Sequence, residues 1–198
     1  MRSSKLLWAG AAMPLVYLAA LALGATLFPG YRVLEDQPSI LGGADATRPF
    51  AFNTGLGLTG AMGVAGAIGI AAALQAIGRN RIVAVMGSLT GLSLLLASVG
   101  LAMAGIFPLP SPLHYGFGLA TFGALTPLLG AVAMWRLGET RTSLTLVGIF
   151  LLILALVLSN APPPFAPGVA MMLSVSILCL NLRRRQSMPG TNKAANHA

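Results

Sequence analysis

Long uncharged apolar stretches alternate with short charged segments along the chain. A helix needs about 20 residues, at 1.5 Å of rise each, to cross a bilayer core of about 30 Å. Six stretches of suitable length run approximately over residues 6–28, 51–77, 82–107, 113–135, 143–159 and 165–182. These lengths match helical spans, and the sequence lacks the shorter alternating segments of membrane strands. The pattern predicts an all-α polytopic membrane protein, a six-transmembrane-helix bundle in one domain.

The composition supports this class and excludes others. Of 198 residues, 56% are hydrophobic and 8% are charged, whereas soluble domains carry about 25% charged residues. A single cysteine excludes a disulfide-rich secreted module, and the low polarity excludes a disordered chain. Arg2 and Lys5 before the first stretch also resemble a secretory signal. That stretch is longer than a typical signal core, so we expect it to remain as the first span.

Basic residues divide unevenly between the two sides of the predicted bundle. Alternating the sides places ten Lys and Arg with the two termini and only Arg32 and Arg48 opposite them. The positive-inside rule then predicts a multi-pass protein of the cytoplasmic (inner) membrane with both termini cytoplasmic. Residues 183–198 are expected to form a basic, disordered cytoplasmic tail. Because the basic residues flank spans, we expect membrane lipids as partners and no nucleic acid.

Small residues recur at helical spacing in the second span. Its glycines are Gly57, Gly60, Gly63, Gly66 and Gly69. Such a face lets another helix approach closely, so we expect this span near the centre of the bundle. The same faces leave open a membrane-protein partner or a homo-oligomer. Pro14 and Pro127 lack backbone donors and are expected to kink or locally unwind the first and fourth spans.

Ionisable residues are absent from the middle of the predicted spans. Such residues normally mark proton relays and ion paths, so a proton-coupled carrier or pump is disfavoured. One cysteine and two histidines cannot form a repeated-cysteine metal site or a bis-histidine haem site. A phosphate-binding Gly-Lys-Ser/Thr loop is also missing. We therefore expect no cofactor and no metal, and we assign no catalytic residue.

The loop from Pro29 to Phe50 carries most of the polar residues on the side away from the termini. Loops of this length are usually functional or disordered. Together with the loop before His114, we expect it to roof a pocket at headgroup depth over apolar helix walls. The candidate ligand-binding residues are Asp36, Ser39, Asn53 and His114.

Each candidate also has a structural alternative. Asp36 can be a solvated loop acid, and Ser39 and Asn53 can cap a turn or a helix. His114 can be an interfacial histidine bonded to a neighbouring loop. Ser39 as a nucleophile beside His114 is a further alternative.

Short motifs in this region resemble a known family. They are Tyr31, Ser39-Ile40-Leu41-Gly42, Phe52-Asn53 with Gly60, Gly105-Ile106-Phe107-Pro108, His114 and Phe122. In this order the chain resembles, over roughly residues 10–182, the bacterial and archaeal membrane proteins of domain-of-unknown-function family 998. Pro38 stands where the family signature has Ile. The resemblance implies a six-span membrane protein and supplies no activity.

The sequence thus favours binding or handling of a lipid or small amphiphile through an extracytoplasmic pocket. An accessory subunit of a membrane complex is one alternative, and a transporter is another. A third is an outer-face hydrolase that uses Glu35, Asp36, Asp45 and His114, for which one histidine and three acids form a sparse metal-ligand set. Whether the protein is an enzyme stays open at this point.

Overall fold

The computed structural model describes residues 2–78, 80–159 and 163–188. It contains six helical segments that are long and apolar enough to cross a membrane, which confirms the predicted all-α architecture. The helices are α1 (Arg2–Leu27), α2 (Pro49–Ile77), α3 (Arg81–Ile106), α4 (Leu125–Arg136), α5 (Thr140–Ser159) and α6 (Ala166–Ser187). Two 3₁₀ elements are also present: a loop helix (Pro38–Gly42) and a 3₁₀ segment (Pro112–Ala124) that precedes α4.

The first and last helices meet at one end of the bundle. Arg183 donates to the Ser4 hydroxyl and Gln186 donates to the Ser3 hydroxyl, each at 3.3 Å. We call this end, formed by residues 3–8, 80–81, 136–141 and 183–188, the terminal face. The opposite end, formed by residues 28–48 and 107–117, is the loop face. The charge pattern predicts that the terminal face is cytoplasmic.

Helix α2 packs most extensively against α1 and α3, and glycines set how closely these helices approach. A Cβ on Gly66 would lie 2.8 Å from the Gly10 Cα of α1. On the other side, a Cβ on Gly60 would lie 2.7 Å from the Ser98 carbonyl oxygen of α3. These distances leave no room for a side chain. Part of the predicted small-residue face is therefore used within the chain, and association with a partner or second copy through such faces stays a prediction.

Two apolar clusters fill the bundle. The cluster nearer the terminal face includes Leu7, Ile70, Leu74, Met134, Leu146, Leu178 and Leu182. The cluster nearer the loop face includes Met13, Tyr17, Leu21, Leu41, Phe52, Leu56 and Met172. Leu41 comes from the loop helix, so part of the long polar loop belongs to the packed core.

The fourth span is not the continuous helix that the sequence predicted over residues 113–135. Its first half is the 3₁₀ segment, and only its second half is α-helical. Gly116, Phe117 and Gly118 have left-handed φ values of 52°, 54° and 75°. Glycine adopts this conformation without a Cβ penalty, whereas it is unusual for a bulky residue such as Phe117. This turn interrupts the helix without lowering the hydropathy of the span.

Pro127 lies in the first turn of α4, where backbone N–H groups have no acceptor within the helix. The chain just before it is 3₁₀, in agreement with the predicted local unwinding. Ser93 of α3 donates to the Phe122 carbonyl at 2.6 Å, and its hydroxyl lies 2.9 Å from that of Thr126. A polar side chain of a neighbouring helix therefore supports the junction, as membrane interiors require. Helix α1, in contrast, continues through Pro14.

Helix α6 extends beyond the predicted end of the sixth span at residue 182. Residues 183–187, which the sequence assigned to a disordered tail, form its last turn. Arginines are favourable there because they oppose the helix dipole. The Arg183 guanidinium also stacks 3.9 Å from the centre of the Trp8 ring. The structure thus extends α6 into the first residues of the predicted tail, and residues 189–198 of the tail lie outside the described residues.

Candidate functional site

Asp36 closes a tight turn at the start of the long loop. Its carboxylate accepts a hydrogen bond from the Arg32 backbone N–H at 2.7 Å and pairs with the Arg32 guanidinium at 3.4 Å. The same guanidinium pairs with Glu35, and the Tyr31 hydroxyl donates to the Asp36 carbonyl at 3.2 Å. Burial, and then the Asp36 carboxylate, raises the pKa of Tyr31 above its ordinary value of 10. The Asp36 carboxylate is thus engaged within its own loop.

Ser39 lies in the loop helix, which is anchored by its neighbour Leu41. Leu41 is 2% exposed and fits against α1, where a Cβ on Gly24 would lie 3.1 Å from Leu41 Cδ1. Burial of this apolar side chain explains why a stretch inside a polar loop turns into the bundle. Ser39 itself is half-buried, and its hydroxyl makes no hydrogen bond with any described residue.

Asn53 holds the loop helix against α2. Its Nδ2 donates to the Gly42 carbonyl at 3.0 Å, whereas its buried Oδ1 has no hydrogen-bond partner among the described residues. This oxygen faces the Gly42 Cα so closely that a Cβ on Gly42 would collide with it. Asn53 lies one turn inside α2, which begins at Pro49, so it is not the cap of that helix.

His114 is 6% exposed and bonds to the end of α3. Its Nδ1 lies 3.1 Å from the Phe107 carbonyl oxygen. A carbonyl only accepts, so this geometry assigns the proton of the neutral ring to Nδ1 and makes Nε2 an acceptor. Nε2 forms no hydrogen bond in the described part of the chain. One ring nitrogen thus holds the fold, and the other has no partner among the described residues.

Backbone contacts bring Asn53 and His114 to the same end of α3. A Cβ on Gly105 would lie 2.5 Å from the Asn53 carbonyl oxygen, and Phe107, two residues further on, receives the His114 bond. The Ala44 N–H donates to the Leu109 carbonyl at 3.2 Å and joins the two loops of this face. Within the described residues, Ser39 makes no hydrogen bond with His114, which a nucleophile and base would need. The ligand-binding role of Asp36, Ser39, Asn53 and His114 stays a prediction.

The loop-face acids do not gather around His114. Glu35 and Asp36 pair with Arg32, and Asp45 is exposed. Across residues 2–78, 80–159 and 163–188, no three His, Cys, Asp or Glu side chains are grouped as metal ligands. The ligand set of the alternative hydrolase is therefore not assembled in the described part of the chain.

The 3₁₀ segment was not anticipated from the sequence as part of this face. Helix α4 has 12 residues and reaches about 18 Å from Arg136. This leaves about 12 Å of a hydrocarbon core of about 30 Å for the chain before Leu125. Six residues of 3₁₀ helix, 119–124, cover that distance at about 2 Å each. With Arg136 at one edge of the core, these lengths predict that the left-handed turn lies near the opposite edge and His114 at headgroup depth.

Much of this segment faces outward. Phe117 is 82% exposed, and Gly118, Thr121 and Phe122 are also exposed. Gly116 is buried against α3, where a Cβ would lie 3.1 Å from the Gly100 Cα. Pro127 predicted local unwinding of this span, whereas Gly116 and Gly118 were not predicted from the sequence as the position of the break.

The fold and the uneven distribution of polar groups define a polytopic helical membrane protein with an irregular loop face. The chain belongs to a family described as "Protein of unknown function (DUF998)", whose family model matches residues 11–182. This match confirms the resemblance found in the sequence. No curated protein and no solved structure matches the chain.

Proposed function

We propose that this protein binds a lipid or small amphiphile at the loop face, along the 3₁₀ segment. The observation that carries the proposal is the outward exposure of the left-handed turn around Gly118, which the helix lengths place near the edge of the hydrocarbon core. Irregular backbone is not tolerated against hydrocarbon and occurs where protein or a polar cavity surrounds it. The polar part of an amphiphile bound beside residues 116–118 provides such a surrounding, and its apolar part follows residues 119–125.

The polar part of this ligand contacts His114. With Nδ1 donating to Phe107, the Nε2 atom of the neutral ring accepts, so it suits a hydroxyl or amine donor. Asp36 and Asn53 order the loop helix and its flanking turn at the same face, and Ser39 offers an unengaged hydroxyl on that loop. In this proposal all four sequence-predicted residues serve the site, with His114 in direct contact.

The apolar part of the ligand runs along exposed side chains of the fourth span. Phe117, Phe122 and Leu125 are exposed on the 3₁₀ segment and the first turn of α4. Burial of apolar surface contributes about 25 cal/mol per Å² when the alternative is water, but much less when the alternative is lipid. Selectivity therefore depends on the polar part and on the shape of the broken span.

Native mass spectrometry of gently extracted protein, with identification of the released lipids, tests the proposal. Leu125→Ala has a matched control in Leu154→Ala on α5, because these leucines are 43% and 42% exposed. We expect one enriched amphiphile on the wild type and on Leu154→Ala, with reduced retention on Leu125→Ala. His114→Gln should also lower retention, and thermal unfolding of each variant verifies that it is folded.

Three results would contradict the proposal. Protein that carries only bulk lipid has no selective site, and equal retention by the two leucine variants places the ligand elsewhere. Stable co-purification of another membrane protein that covers residues 112–124 in a crosslinking experiment supports the accessory-subunit alternative instead. Chemical conversion of the enriched lipid during incubation would favour the hydrolase.

A further inference from the structure

The triple-arginine cluster at the end of α6 divides into two kinds of side chain. Arg183 stacks on Trp8 and donates to Ser4. Arg185 donates to the Glu139 carboxylate and to the Leu137 carbonyl, each at 2.8 Å. Arg184, between them, is exposed and makes no ion pair with any described residue. Two arginines therefore hold α6 to its neighbours, and one faces outward.

Contacts of the two engaged arginines place further basic residues on the same surface. Arg185 reaches the α4–α5 turn, which is flanked by Arg136 and Arg141, and Arg183 reaches the start of α1, where Lys5 follows Ser4. These residues are exposed and have no ion-pair partner in the described chain. The one acid described at the terminal face, Glu139, is neutralised by Arg185. We name Lys5, Arg136, Arg141 and Arg184 the basic surface.

Two tryptophans mark the depth of the basic surface in the membrane. Trp8 and Trp135 are 53% and 58% exposed, and Trp135 directly precedes Arg136. Exposed tryptophans at the ends of spans lie at headgroup level. The unpaired cations beside them are therefore at the depth of lipid phosphates, with apolar helix surface directly below.

We propose that the basic surface binds anionic phospholipid headgroups of the leaflet at the terminal face. The phosphates are held by the unpaired cations around the α4–α5 turn, and the acyl chains follow the exposed side of α4 and α5. The site is distinct from the loop-face site, and it assigns the phosphate contacts to cations around the α4–α5 turn.

Titration of the detergent-purified protein with phosphatidylglycerol, counted by native mass spectrometry, tests this site. The variant combines Arg136→Gln, Arg141→Gln and Arg184→Gln. A basic residue near an anionic surface contributes about 1 kcal/mol, so we expect binding to weaken roughly fivefold for each cation removed. Arg48→Gln is the matched control, because Arg48 is exposed and unpaired at the loop face. It should bind like the wild type.

Further measurements separate selective binding of anionic phospholipid from a structural role of the arginines and from nonspecific binding of anions or lipids. Arg185→Gln should lower thermal stability much more than Arg184→Gln, because only Arg185 holds the α4–α5 turn. Equal binding of phosphatidylglycerol by the triple variant and the wild type would overturn the proposal. So would equal binding of phosphatidylcholine, or full competition by inorganic phosphate or an oligonucleotide. This test uses only arginine variants, none of which belongs to the proposed loop-face site, so failure of the loop-face proposal does not affect the result.

Discussion

At the terminal face, charged side chains join regular helices. At the loop face, the Asn53 amide, the His114 imidazole and the inserted Leu41 side chain join segments of irregular backbone. Arg185 and Glu139 form an ion pair whose side chains are 23% and 20% exposed. At the other end, Asn53 and His114 each use one polar atom on a backbone carbonyl and leave the other without a described partner. The two ends therefore differ in how completely their polar groups are satisfied.

This difference distinguishes an end whose buried polar groups are paired from the end at which we propose the amphiphile site. Satisfied polar groups stabilise a fold, and unsatisfied groups near a membrane surface are candidates for ligand contacts. The terminal face has its unpaired groups only on the outside, where headgroups reach them. The loop face has its unpaired polar atoms, on Asn53 and His114, beneath its loop and beside the interrupted fourth span. Four variants, three of them with matched controls, test this contrast.

The largest effect is expected from Gly42→Ala at the loop face. The added Cβ collides with Asn53 Oδ1 and separates the loop helix from α2, which should cost about 1–3 kcal/mol of unfolding free energy. Gly43→Ala is the control, because its nearest contact would be an ordinary 3.4 Å to the Ile40 carbonyl oxygen. Unfolding in mixed detergent micelles measures the stability of both variants. Equal stability would refute the role of Asn53 in holding the loop helix against α2.

A slightly smaller effect is expected from Glu139→Gln at the terminal face. It leaves the mostly buried Arg185 guanidinium without its anion, which should cost about 1–2 kcal/mol. Glu35→Gln removes an ion pair that is more than half exposed and should change stability by less than about 0.5 kcal/mol. If both variants unfold alike, the terminal face is not held by this pair.

Ser93→Ala tests the support of the broken span. The Ser93 hydroxyl of α3 donates to the Phe122 carbonyl of the 3₁₀ segment, so its loss should cost about 1 kcal/mol of unfolding free energy. Ser98 donates only to the Leu94 carbonyl of its own helix, and Ser98→Ala should cost less. If proteolysis between residues 112 and 124 increases in Ser93→Ala but not in Ser98→Ala, the loss of stability arises in the 3₁₀ segment. A larger loss in Ser98→Ala would contradict the account.

The smallest effect concerns pH and Tyr31. Burial raises the pKa of this phenol in the folded protein above 10, its ordinary value in the unfolded chain. The folded state then holds the proton more tightly, so this stabilisation is complete below pH 10 and is lost as pH rises above it. Tyr31→Phe should remove that part of the decline in stability above pH 10. An identical decline in both proteins would show that Tyr31 does not contribute.

Sequence reasoning predicted the spans because hydropathy over about 20 residues depends little on tertiary detail. The α2 glycines were also correctly predicted to allow close approach, since spacing alone defines a helix face. The break at Gly116 and Gly118 could not be inferred, because 3₁₀ and α-helical segments share the same hydropathy. The Arg185–Glu139 pair joins residues 46 positions apart, and the Asn53–Gly42 bond needs the loop helix to insert first. Such contacts depend on packing that a single sequence does not reveal.

The most direct test of the loop-face account is hydrogen–deuterium exchange of the protein in native membrane nanodiscs and after delipidation in detergent. A bound amphiphile predicts that amides of residues 112–124 are protected in the native sample and exchange faster after delipidation, while those of residues 56–74 in α2 change little. Adding back the lipid identified by mass spectrometry should restore the protection. Equal exchange of residues 112–124 in both samples would contradict the claim that an amphiphile covers the broken span.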